Sequence, residues 1–210
     1  MSLKWNRPAG SLSATLILAH GAGAPMDSPF MERIAELLAA QGIAVARFEF
    51  PYMAQRREDG RKRPPNPQAQ LLDCWRRVHA QVRETLGGPL ALGGKSMGGR
   101  MASLLADELG ADALVCLGYP FYAAGKPEKP RVAHLAGLRT PTLIVQGERD
   151  ALGNREAVAG YALAPTIRLH WLAAADHDLK PLKASGLTHE QHLAATAREV
   201  AGFLRGLQGH

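Results

Sequence analysis

The sequence predicts an α/β fold, with a mostly parallel central sheet and helices on both of its faces. Short apolar segments alternate along the chain with longer amphipathic segments, which is typical of strands joined by helices. Most of the short segments are continuously apolar, as expected for strands that are covered on both faces. The chain has 210 residues, 46% of them hydrophobic, which predicts one domain over residues 1–210.

Six strands are expected from the apolar segments. They are Thr15–Ala19, Ala44–Phe48, Leu90–Gly93, Ala113–Leu117, Thr142–Gln146 and Ile167–Leu172. Three amphipathic helices are expected between or after them, because apolar residues recur at helical spacing. Their apolar stripes are Phe30–Ile34–Leu37–Leu38, after a Ser28 cap and Pro29, then Leu71–Trp75–Val78–Val82–Leu86, and Leu193–Ala197–Val200–Leu204–Leu207.

The composition favours an ordinary globular protein over several other classes. The net charge is +6, but the basic residues are mostly scattered and no nucleic-acid-binding motif accompanies them, so a nucleic-acid partner is not expected. The two cysteines, Cys74 and Cys116, lack metal-ligand or redox spacing and are expected to be buried. No apolar segment is long enough for a membrane span or a signal peptide, so a cytoplasmic location is expected.

The segment Gly94-Lys95-Ser96-Met97-Gly98 matches the pattern G-x-S-x-G. In this pattern a sharp turn from a strand into a helix exposes a nucleophilic serine, and glycines on either side remove steric collisions. Ser96 is therefore a candidate nucleophile, at a helix start that favours a developing negative charge. An apolar strand precedes it, and the helical pattern Met101–Leu104–Leu105–Leu109 follows it.

An alternative interpretation of Gly94-Lys95-Ser96 is the end of a phosphate-binding loop, G-x-x-x-x-G-K-[ST]. That motif requires a glycine at the position occupied by Pro89. The intervening segment Leu90–Gly93 also has the pattern of a strand rather than of a loop, which disfavours nucleotide binding.

Two further residues complete a candidate triad. Asp150 follows the predicted strand Thr142–Gln146, and His177 follows the last predicted strand, so His177 is the expected base and Asp150 the acid that orients it. Glu148 is the alternative acid, and Asp150 is alternatively a helix cap near Asn154. Asp176-His177-Asp178 also admits a metal site, but no second histidine has a suitable spacing; no metal or cofactor is expected.

The segment His20-Gly21-Ala22-Gly23 follows the first clear strand. Small residues allow the backbone to approach a substrate closely. The backbone N–H groups of Met97 and Ala22 are therefore the expected oxyanion-hole donors, with Gly21 as the alternative to Ala22. His20 is expected to orient this segment.

Together, these segments resemble the α/β-hydrolase superfamily over nearly the whole chain, in the expected order Ser, Asp, His. More narrowly, the chain resembles the compact dienelactone-hydrolase-like group, and within it the testis-expressed-protein type of α/β-hydrolase-like domain. The phrases HGAGAPMDSPFM, RFEFPYM, GGKSMGGRMAS and ADHDLK carry this narrower resemblance. The dienelactone enzymes use a cysteine nucleophile where this chain has Ser96, so the resemblance does not imply their substrate.

The segment between the strands that end near Leu117 and begin near Thr142 is too short for a lid domain. The pocket is therefore expected to be open, and its walls to come from loops that follow the strands. The candidate pocket residues are Tyr52, Lys95, Tyr119 and Phe121. A basic segment, Arg56–Arg63, is expected to be a loop at the same edge, either solvated or attracting an anionic substrate.

The leading functional prediction is a serine hydrolase that cleaves a carboxylic ester or thioester of a small-molecule acyl substrate through an acyl-enzyme. The alternative is a catalytically weak α/β-hydrolase-like module for protein interactions. Oligomeric state, acyl group and leaving group stay open.

Overall fold

A computed structural model of the chain describes residues 2–207. Seven strands form one sheet: β1 Lys4–Asn6, β2 Ala14–Ala19, β3 Ile43–Phe48, β4 Leu90–Lys95, β5 Ala113–Leu117, β6 Thr142–Gly147 and β7 Ile167–Leu172. Their order across the sheet is β1-β3-β2-β4-β5-β6-β7. β1 runs antiparallel to β3, and all other neighbours are parallel. The predicted fold class is confirmed.

Helices cover both faces of this sheet. They are α1 Pro29–Ala40, α2 Pro51–Asp59, α3 Gln68–Thr85, α4 Met97–Ser103, α5 Arg155–Ala159 and α6 His189–Gly206. Successive strand residues point to opposite faces, so Ile17 of β2 lies in one apolar core with α2–α5, while Leu16 and Leu18 lie in a second core with α1 and α6. This two-sided burial explains the continuously apolar strands.

The direction in which the chain adds successive strands to the sheet changes between β2 and β4. From β2 the chain moves outward to β3, whereas from β4 it moves the other way to β5. In such a sheet the loops after the two adjacent strands diverge and leave a crevice at their carboxyl ends. The segments Gly21–Ala24 and Ser96–Gly98 follow these two strands, so the fold brings them to one crevice.

Residues 118–141, between β5 and β6, contain one 3₁₀ turn, Ala133–Gly137, and no lid domain, as predicted. The end of one predicted helix differs from the structure. The predicted helix through Leu109 ends at Ser103 and continues as turns. Among the helices of residues 2–207, none combines the length and apolar character needed to cross a membrane.

The basic segment Arg56–Arg63 was predicted to be a loop. The structure corrects this, because α2 extends through the first half of the segment to Asp59. Pro51 occupies the first helical turn, where its missing N–H is not needed. Gly60 ends the helix in the left-handed conformation, with φ 71°, which glycine adopts without a steric penalty. Pro51 and Gly60 therefore mark the two ends of a helix that the charge pattern alone did not predict.

Candidate active site

Ser96 lies at the turn between the central strand β4 and α4. Its backbone has φ 50° and ψ −118°, a sparsely populated conformation that costs about 1–3 kcal/mol and requires support from its surroundings. Packing provides that support: a Cβ atom added to Gly94 would lie 2.4 Å from the backbone of Gly98, and one added to Gly98 would lie 2.5 Å from the carbonyl oxygen of His20. Both glycines are thus needed for this turn.

The structure brings Ser96, His177 and Asp150 together. His177 Nε2 lies 2.8 Å from Ser96 Oγ, and His177 Nδ1 lies 2.8 Å from Asp150 Oδ2. A carboxylate only accepts hydrogen bonds, so Nδ1–H donates to Asp150 and Nε2 is left to accept from the serine hydroxyl. This arrangement has the contacts required of a nucleophile, a base and an orienting acid.

Asp150 is completely buried. Its Oδ1 accepts the backbone N–H of Leu152 at 2.7 Å, and its Oδ2 also accepts Gln146 Nε2 at 2.9 Å. These bonds offset the cost of burying a carboxylate. The alternative acid, Glu148, instead binds the backbone N–H of Ala174 and does not contact His177.

Gln146 is a site residue that the sequence analysis missed. It is buried near the end of β6, where its Oε1 accepts the N–H of Tyr119 and its Nε2 also lies 3.1 Å from the carbonyl oxygens of Tyr119 and Gly153. It therefore ties Asp150 to the loop after β5. The available signal was an amide at the end of an otherwise apolar strand.

The loop that carries His177 is held by Lys95. Lys95 Nζ donates to the carbonyl oxygen of His177 at 2.9 Å and lies 3.2 Å from Asp178 Oδ1. Gly118 has φ 65°, and a Cβ atom there would come within 2.7 Å of the same carbonyl oxygen. Burial lowers the pKa of Lys95, and the nearby carboxylate of Asp178 partly opposes this effect.

Small residues bring the Gly21–Ala24 segment close to the nucleophile. A Cβ atom at Gly21 would lie 3.6 Å from the Cβ of Ser96. Tyr52, predicted to line the pocket, is buried, and its hydroxyl donates to the carbonyl oxygen of Ala22 at 2.8 Å. It therefore supports this segment from behind rather than facing a substrate.

His20 orients the same segment through both ring nitrogens. Its Nε2 accepts the N–H of Phe50 at 3.1 Å and its Nδ1 lies 2.7 Å from the carbonyl oxygen of Gly21, so Nδ1 carries the proton. Burial lowers the pKa of His20, which favours this neutral form. Among the backbone hydrogen bonds of residues 2–207 outside the helices and strands, none uses the N–H of Ala22 or Met97 as a donor, which leaves both N–H groups for another acceptor.

The structure argues against two alternative interpretations. Leu90–Gly93 pairs with β2 and β5 as a strand, so the phosphate-loop interpretation is wrong. Asp176 Oδ1 accepts the N–H groups of Asp178 and Lys180 within its own turn. Within residues 2–207 there is no cluster of three or more histidine, cysteine, aspartate or glutamate side chains that could hold a metal ion.

Two open cavities flank Ser96. The first, of about 380 Å³, is lined by the Gly21–Ala24 segment, Phe30, Lys95 and His177. The second, of about 420 Å³, we call the arginine groove; its lining includes Met97, Arg100, Pro120, Tyr122 and Arg131.

The predicted pocket residues Tyr119 and Phe121 line neither cavity, because both are fully buried in the apolar core. Their neighbours Pro120 and Tyr122 line the arginine groove instead. Lys95 does line the first cavity, although its ammonium group is engaged by His177 and Asp178.

Two of the five basic side chains of the segment Arg56–Arg63 form ion pairs. Arg57 binds Glu49 and Asp27, and Arg63 binds Asp59. Arg56 lies nearer the site, since its Nη1 is 3.3 Å from the carbonyl oxygen of Gly23.

The fold and this site define a class of protein. Residues 12–205 match the family described as alpha/beta hydrolase domain, and the chain belongs to that family.

Solved structures of this class share the fold at low sequence identity. One is an alpha-beta serine hydrolase homologue from Coxiella burnetii, with 18% identity over 97% of this chain and 89% of the other, and a TM-score of 0.71. Another is a serine hydrolase without a lid from Xanthomonas campestris, with 20% identity, coverages of 98% and 86%, and a TM-score of 0.67. A dienelactone hydrolase from Anabaena variabilis has 23% identity, coverages of 97% and 91%, and a TM-score of 0.71.

These likenesses bear out the resemblance to lid-less, dienelactone-hydrolase-like proteins. The narrower resemblance to the testis-expressed-protein type stays a prediction.

Proposed function

We propose that this protein is a serine hydrolase that cleaves a carboxylic ester or thioester through a covalent acyl-enzyme. Ser96 is the nucleophile, His177 the base and Asp150 the orienting acid. The observation that carries this proposal is the continuous chain of 2.8 Å contacts from Ser96 Oγ through the imidazole to a buried carboxylate.

In the acylation step, Ser96 Oγ forms a bond to the substrate carbonyl carbon and its proton passes to His177 Nε2. The carbonyl oxygen becomes an oxyanion, which accepts hydrogen bonds from the N–H groups of Ala22 and Met97. Asp150 keeps His177 in the tautomer that can accept this proton and stabilises the imidazolium that forms. The bond to the leaving group then breaks, and Nε2 returns the proton to the departing oxygen or sulfur.

Deacylation repeats the sequence with water as the nucleophile. His177 Nε2 removes a proton from the water molecule as its oxygen attacks the acyl carbon. When the acyl–Ser96 bond breaks, the imidazolium returns the proton to Oγ. The products are a carboxylic acid and the free enzyme.

The two cysteines have no part in this scheme. Both Cys74 and Cys116 are buried, and burial raises the pKa of the Cys74 thiol to about 11, so the thiol stays protonated near neutral pH.

Labelling with a fluorophosphonate tests the proposal. Such a probe phosphonylates an activated serine with loss of fluoride. We expect intact-mass analysis to show one adduct on the native protein and none on Ser96→Ala. His177→Ala is expected to slow the labelling at least a hundredfold, because no base accepts the Ser96 proton.

Absence of an adduct on a folded native protein would overturn the proposal. That outcome would favour the alternative of a protein-interaction module, since a fold alone does not define an activity.

A further inference from the structure

The arginine groove holds two cations beside the nucleophile. Arg100 is one turn of α4 beyond Ser96, and its backbone N–H donates to the carbonyl oxygen of Ser96 at 3.0 Å. Residues one helical turn apart lie on the same side of a helix, and Arg100 and Ser96 both line the groove. Arg131 contributes a second guanidinium from the segment between β5 and β6.

Arg100 is a partly buried cation whose hydrogen-bonding capacity is mostly unused. Its Nη2 lies 3.3 Å from Gln68 Oε1, while its buried Nε has no hydrogen-bond partner. A buried donor without an acceptor is costly, and more so when it is charged. Burial accordingly lowers the pKa of the Arg100 guanidinium.

Within the part of the chain that the structure describes, no carboxylate pairs with this charge. The side chains that line the groove include no aspartate or glutamate, and among the ion pairs of residues 2–207 none involves Arg100 or Arg131. Arg131, the other cation of the groove, repels Arg100. By contrast, Lys95 in the first cavity is already engaged by Asp178.

We infer that the arginine groove is a subsite for a carboxylate carried by the substrate, with Arg100 as the main contact and Arg131 as the second. A planar guanidinium matches the two oxygens of a carboxylate through parallel hydrogen bonds. The substrate class is then an ester or thioester with a free carboxylate on its acyl or its leaving-group side. This inference rests on the proposed function, because it places the scissile carbonyl at Ser96.

Two matched pairs of esters test the subsite. Mono-4-nitrophenyl glutarate and its methyl ester differ in a carboxylate on the acyl side, and 3-acetoxybenzoate and its methyl ester differ in one on the leaving-group side. We expect the acid of at least one pair to have a kcat/KM about tenfold or more above that of its methyl ester, a size typical of a charge-assisted hydrogen bond.

Variants show where that preference arises. Arg100→Gln is expected to bring the kcat/KM of the acid down to about that of its methyl ester, and Arg131→Gln to reduce the ratio of the two by less. Arg198→Gln is the matched control. It removes the same charge from an exposed side chain of α6, which does not line the groove. Arg131 is also exposed, so its variant keeps the test informative if Arg100→Gln fails to fold.

The inference is overturned if neither acid is preferred, or if Arg198→Gln lowers the preference as much as the groove variants do. Fluorophosphonate labelling of Ser96 in the same samples shows whether the proposed function itself holds.

If Ser96 is not labelled, calorimetry with monomethyl glutarate on Ser96→Ala tests the subsite without turnover. Binding that Arg100→Gln abolishes and Arg198→Gln leaves intact supports the carboxylate subsite; any other binding result overturns it.

Discussion

Ser96 follows β4 in the centre of the sheet, whereas His177 follows β7 at the edge. The strained backbone at Ser96 is fixed by backbone packing, since Gly94 and Gly98 leave no space for a Cβ atom. The loop of His177 is held by hydrogen bonds, both between backbone groups of the loop and from the ammonium group of Lys95 to the carbonyl oxygen of His177. Sterics therefore position the nucleophile, while polar contacts position its base.

This comparison predicts that one added methyl group in the central turn removes both the stability of the turn and the reactivity of Ser96. Gly94→Ala would place a methyl group 2.4 Å from the backbone of Gly98, and neither backbone can move without disturbing β4. We expect a loss of unfolding free energy above about 3 kcal/mol, beyond ordinary overpacking, together with loss of fluorophosphonate labelling. Thermal unfolding followed by circular dichroism measures the first effect.

Gly202→Ala is the matched control for this variant. Gly202 lies in α6 with no atom near its hypothetical Cβ, so alanine there should leave stability unchanged or raise it by roughly 0.5–1 kcal/mol. Equal effects of the two substitutions would contradict a steric origin for the turn.

In the loop of His177, in contrast, loss of one polar contact is expected to lower activity only in part. Lys95→Met removes the bonds to the carbonyl oxygen of His177 and to Asp178, and we expect kcat to fall roughly tenfold while the protein stays folded, because a misplaced base slows each proton transfer. Lys180→Met removes the same charge from an exposed side chain of that loop and should leave kcat within about twofold.

The pH profile separates positioning by Lys95 from a general loss of structure. Burial lowers the pKa of Lys95, so its ammonium form prevails below that lowered pKa and is lost above it, at a lower pH than for an ordinary lysine. Native turnover should therefore decline on the alkaline side, and Lys95→Met should lack this decline. Identical profiles would show that the charge of Lys95 does not position the loop.

Local patterns in the sequence were sufficient to predict some features of the fold and the site, whereas contacts between distant segments were not. The strands and the fold class follow from apolar patterning, and Ser96, Asp150 and His177 each follow a strand, where a parallel sheet collects its loops. Their meeting at hydrogen-bond distance depends on the order of the strands, which no local pattern encodes. The sequence also could not assign a role to Gln146, because its buried amide joins Asp150 to Tyr119 in the loop after β5, which is distant in sequence.

The pocket was harder to predict, because adjacency to a strand end does not determine which way a side chain points. Tyr119 and Phe121 point into the core, while Pro120 and Tyr122 line the arginine groove. An error of one residue in this alternation exchanges side chains that point into the core with side chains that line the groove. Arg100 was missed for a related reason: only the structure shows that its buried Nε lacks an acceptor.

The most direct test of the account is a double-mutant comparison of ester turnover. If the central nucleophile and the edge base act as one unit, Ser96→Ala, His177→Ala and the double variant should all have nearly the same low kcat, because each loss already disables the unit. Losses that multiply in the double variant would mean that the two residues act independently, and would contradict a shared catalytic site.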